Sequence, residues 1–119
     1  MNSASQKGCN LLLLGDRLID RLNDQDKALK SSLAQLMQNQ GTLNYCVVHE
    51  FLQNSANETF MLLESIQSVI NDIDEPSISE ELSLIRKELE ALQAEEDRLE
   101  RELRPYLFCP ALNRPETSN

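Results

Sequence analysis

Few residues in this chain are equipped for chemistry, and their spacing argues against it. There is one histidine, His49, and three cysteines, Cys9, Cys46 and Cys109. A structural zinc site takes four Cys or His ligands, commonly in close pairs. Here the cysteines are far apart, and Cys46, His49 and Glu50 make a poor ligand set. An odd number of scattered cysteines builds no disulfide framework either. His49 therefore reads as a half-buried helix residue, and Cys46 as a small apolar one. A lone histidine among dispersed serines gives no nucleophile, base and acid arrangement. No glycine-rich loop stands ready for phosphate. Ser77 and Ser79 lie beside acids, where a plain helix cap outweighs a phosphorylation site. The acidic run Glu95-Glu96-Asp97 reads as a solvated helix face. No catalytic, cofactor or metal site is expected, and the chain reads as a non-enzyme.

The informative pattern concerns contacts. Ile78, Leu82, Ile85, Leu89, Leu92, Glu96, Leu99, Leu103 and Tyr106 follow one another in alternating steps of four and three. That is heptad spacing, with Leu82, Leu89, Glu96 and Leu103 at a and Ile85, Leu92, Leu99 and Tyr106 at d. A stripe this narrow on a polar helix is built to meet another helix. Glu81, Glu88, Glu95 and Glu102 flank it at g, and Arg86, Gln93 and Glu100 at e. A parallel homodimer would pair Glu95 with Glu100, and an antiparallel one would bring the g acids together. A different partner helix with a basic flank is favoured, although each exposed pair is worth only a few tenths of a kcal/mol. Glu96, at a core position, has two readings. It pins the register against a partner's Lys or Arg, or it reaches water at an exposed stretch of the seam.

The elements that position this seam follow from breaks in the pattern. A first helix is expected over about residues 10–39, after a disordered segment 1–9. Its stripe is Leu11, Leu14, Leu18, Leu22, Leu29, Leu33 and Leu36, with Ile19 and Met37 beside it. The stretch Asn39-Gln40-Gly41-Thr42 weakens the helix and shifts its phase, as a turn or as a stutter in one long helix. A second helix is expected over about 43–73, along Tyr45, His49, Leu52, Ala56, Thr59, Leu63, Ile66, Ile70 and Ile73. Pro76 forces a break. Ser77-Ile78-Ser79-Glu80 then matches a capping box and opens a third helix over about 77–104. Pro105 ends it. The tail 105–119 carries Tyr106 and Phe108. It either docks on a partner or folds back over this chain.

Composition agrees. The chain has 119 residues, three Gly, four Pro, no Trp and five aromatics. The fold expected is all-α: two or three long helices, as a hairpin or an elongated three-helix bundle, with a coiled-coil third helix and an irregular tail. Net charge is −9, and residues 72–104 hold twelve acids against five bases. That excludes a phosphate-neutralising patch, so direct nucleic-acid binding is not expected. The longest apolar run, Leu11 to Leu14, is too short to enter a membrane. An intracellular, cytoplasmic location is expected. The function expected is a coiled-coil subunit that co-folds with other helical chains, through Ile78, Leu82, Ile85, Leu89, Leu92, Glu96, Leu99, Leu103, Tyr106 and Phe108. Frequency alone leans this toward spindle, kinetochore and centrosome assemblies. The alternative is a self-contained three-helix binding module, as in vesicle tethering or organelle positioning.

Overall fold

A computed structural model describes residues 1–39 and 43–108. Three long helices follow in order: α1 (Ser3–Asn39), α2 (Tyr45–Val69) and α3 (Pro76–Leu103). The fold is all-α, as expected. Residues 40–42, where a turn or stutter was expected, and 109–119 of the tail lie outside the described residues.

Side-chain pairings set the directions. Arg21 of α1 pairs with Glu58 of α2, and the Ser55 hydroxyl of α2 lies 3.0 Å from Gln25 Oε1 of α1. These two helices are therefore antiparallel and separate. Between α1 and α3, Gly8 lies against Ile78, Gly15 against Ile85, and Lys30 is 4.0 Å from Glu95. Those two run parallel. The result is an up-down-up bundle of 61 × 33 × 16 Å. No described helix is long and apolar enough to cross a membrane.

Residues 3–9, expected to be disordered, are helical. Asn2 caps α1: its Oδ1 accepts the Ser5 N–H at 2.8 Å, as an N-cap side chain does. Its amide Nδ2 donates to the Asp72 carbonyl at 2.8 Å. The Ser5 hydroxyl, fully buried, donates to the Asp74 carboxylate and accepts the Asp74 N–H at 3.1 Å. Both carboxylate oxygens also accept the Asn2 N–H at 3.2 Å. These bonds hold the Asp74 carboxyl below its ordinary pKa of 3.8, the Ser5 hydroxyl contributing most. The break between α2 and α3 thus seals the start of α1, a contact between residues about seventy apart that no local pattern announces.

The expected capping box does not form. Glu75, not Ser77, is the N-cap of α3 and makes no side-chain cap bond, and Pro76 takes the first helical position, where a missing N–H costs nothing. The Ile78 and Ser79 N–H groups bond back to the Glu75 carbonyl instead. At its far end α3 tightens into a 3₁₀ turn, Arg104–Tyr106. Leu107 and Phe108 then pair in parallel with Leu43 and Asn44. Because α1 and α3 run the same way, the segments that follow them leave side by side.

The core has two clusters. The first joins Leu18, Ile19 and Leu22 of α1, Leu62 and Ile66 of α2, and Ile78, Leu82, Ile85 and Leu89 of α3. The second joins Leu29, Leu36, Val48, Leu99 and Leu103, with Tyr106 and Leu107 packed against it. Two α1 glycines lie tight against α3. A Cβ on Gly8 would sit 2.8 Å from Ile78 Cγ2, and one on Gly15 2.7 Å from Ile85 Cγ2. Only glycine lets α1 and α3 meet this closely.

Candidate functional site

The seam residues expected to meet a partner are largely turned inward. Ile78, Leu82, Ile85, Leu89, Glu96, Leu99 and Leu103 are buried against α1 and α2 of the same chain. Leu92 and Tyr106 are half-buried at the edges of the two clusters. Phe108 pairs its backbone with Asn44, so the tail as far as residue 108 folds over its own chain. The heptad stripe is one side of an internal core.

Glu96 is turned into the bundle. It is 3% exposed, so it does not reach water along an open seam. Within the chain it faces an acid. Asp26 of α1, likewise 3% exposed, lies across the contact, and none of the four carboxylate oxygens has a hydrogen-bond partner. Burial, then the charge of Asp26, then that of Asp97, raise the Glu96 pKa from 4.5 to about 7. Burial also raises Asp26, while Lys30 lowers it and Glu95 raises it. With Gln25 and Ser55 these carboxyls form a polar layer between the two apolar clusters.

The residues first weighed for chemistry are dispersed. His49 is exposed, because Val48 takes the inward position on that turn of α2. Cys46 is exposed and Cys9 half-buried. Among the described residues no three His, Cys, Asp or Glu side chains are placed to hold a metal ion. The charged flank of α3 folds partly onto itself. Arg98 bridges Glu95 and Glu102, the latter at 2.8 Å, and Arg104 pairs with Glu100 at 3.0 Å. Asp97 accepts from Gln93 at 3.5 Å.

Among the described residues one groove lies open between α1 and α2, by Leu14 and Met61, and another beside the seam. A groove of about 560 Å³ runs between α1 and α3 near the α1 start. Leu84, 64% exposed, stands over half-buried Leu12 and the edge of Ile85. Three acids, Asp16, Glu81 and Glu88, rim it against one base, Lys87. The g-position acids Glu81 and Glu88 thus still flank an apolar strip, one face round from the stripe they were read against. Leu84 was legible as an apolar residue outside the heptad positions. No family model, curated protein or solved structure matches this chain.

Proposed function

We propose that this chain is a non-enzymatic interaction subunit, closed on itself as a three-helix bundle, that holds a basic amphipathic helix of another protein in its α1–α3 groove. The observation that carries this is Leu84. It is a large apolar side chain left mostly exposed between a half-buried leucine and three carboxylates. An apolar strip with acidic rims suits a helix that presents leucine-like anchors between lysines or arginines. The internal burial of the heptad stripe favours the self-contained module over a chain that must co-fold with its partner. Assemblies of the spindle, kinetochore and centrosome remain the favoured setting on frequency alone.

The test uses the full chain, tagged and expressed in cells, as wild type, Leu84→Arg and Glu81→Lys/Glu88→Lys. All three altered positions are exposed, so circular dichroism and melting temperature should match wild type. One partner should be depleted tenfold or more in both variants, and cross-links from it should reach the groove through a basic helix. Association with that purified partner should slow as salt rises. Identical partner profiles for all three proteins would overturn the proposal.

A further inference from the structure

The polar layer has a consequence for the bundle that does not depend on any partner. We propose that the buried Asp26–Glu96 pair is a proton-controlled latch: with Glu96 neutral the end of the bundle built on Leu29, Leu36, Leu99 and Leu103 stays closed, and with both carboxylates charged it opens. The geometry supports this directly. The pair sits at the boundary between two separate apolar clusters, so its repulsion acts where the core is already divided. The carboxylates come from different helices, and both helices continue into the second cluster. No hydrogen bond compensates either one. Two buried charges of one sign, unpaired, are among the costliest arrangements a core can hold.

The other charged groups around the layer do not cancel this. On α1, Lys27 and Lys30 line the groove beside Asp26, yet both are exposed, and Lys30 lies 4.0 Å from Glu95. On α3, Glu88, Glu95, Asp97 and Glu100 add negative charge. On α2, His49 lines the same small cavity as Glu96, about 110 Å³ in volume. That cavity and a groove of about 320 Å³ beside Asp26 give both carboxyls a path to solvent protons.

The sign follows from linkage. Glu96 has a higher pKa folded, about 7, than its ordinary 4.5, so the closed state holds the extra proton between those values. Closure is therefore strongest below about pH 4.5, weakens as pH rises toward 7, and is weakest above it. Opening should release Leu99 and Leu103 while Leu82 and Leu89 stay packed in the first cluster. Those two freed positions belong to the heptad stripe.

Hydrogen exchange resolved by residue, corrected for intrinsic rates, tests this on the full chain at pH 6 and pH 8. Protection over residues 29–36 and 99–103 should fall about tenfold at pH 8, while that over 18–22 and 82–89 should hold. In Glu96→Gln the far end should stay protected at both values. In His49→Gln the wild-type response should persist, which separates the histidine from the carboxyls. A uniform response of both ends, or an unchanged response in Glu96→Gln, would overturn the latch. Carbon-detected titration of Glu96 in the wild-type chain gives an answer needing no variant. A midpoint near 7 supports the latch, and one near 4.5 overturns it.

Discussion

Gly15→Ala should destabilise this protein, although alanine is the better helix former. In an open helix interior the exchange would gain about 1 kcal/mol. Here the new Cβ would stand 2.7 Å from Ile85 Cγ2 and 2.9 Å from its Cδ1. Ordinary carbon contacts lie at about 3.5–4.0 Å, so α1 and α3 must part by close to 1 Å. Overpacking of this kind costs about 1–3 kcal/mol. The net loss is then up to about 2 kcal/mol, or a fall of several degrees in melting temperature for a chain of this size. Ile85→Ala removes both offending atoms and leaves the Ile85 Cβ at 3.7 Å, an ordinary contact. By itself that truncation costs about 2–5 kcal/mol. In its background Gly15→Ala should change sign and stabilise. Urea unfolding of the four proteins closes a double-mutant cycle, with an expected coupling of about 1–3 kcal/mol. If Gly15→Ala is neutral or stabilising in both backgrounds, the parallel α1–α3 contact is wrong.

Thr59 is 2% exposed and its hydroxyl has no partner, so Thr59→Val should be neutral or stabilising by about 1 kcal/mol in urea unfolding; a clear loss would show that the hydroxyl is satisfied. Deleting residues 105–119 removes Tyr106 and Leu107 from the second cluster, so the melting temperature should fall by several degrees, at about 1 kcal/mol for each half-buried side chain. An unchanged melting temperature would mean that the tail does not belong to this core.

Helix identity was legible in the sequence, and the depth of each face was legible only in part. The third stripe was read correctly because its period is regular and Pro76 and Pro105 bound it. Which chain covers that face was not legible, because periodicity states that a face is buried and not by which chain. On α1 the reading followed Leu11, Leu14 and Leu18, yet Leu14 is half exposed. The true inner line is Gly8, Gly15, Leu22, Leu29 and Leu36, in steps of seven. Two glycines hid its first half, since they carry no hydropathy signal and ordinarily weaken helices. Asp26 was missed for a related reason. It continues the row Ser5, Leu12 and Ile19, but a charged residue is assigned to solvent by default. The Asn2, Ser5 and Asp74 cap joins segments too distant for any local rule.

The contacts that join α1 to α3 link distant parts of the chain. Gly8 meets Ile78 and Gly15 meets Ile85, each across seventy residues of chain. The α1–α2 hairpin closes a much shorter loop, between Gln25 and Ser55, and that is where early structure is entropically cheapest. Yet the hairpin alone lacks Ile78, Leu82, Ile85 and Leu89, nearly half of the first cluster. Whenever α3 is absent or undocked, as on a nascent chain, the leucine row of the hairpin is left wet. During that interval the row is open to any other amphipathic helix nearby, including α3 of a second molecule, and exchange of third helices between copies is the characteristic error to which this topology is exposed.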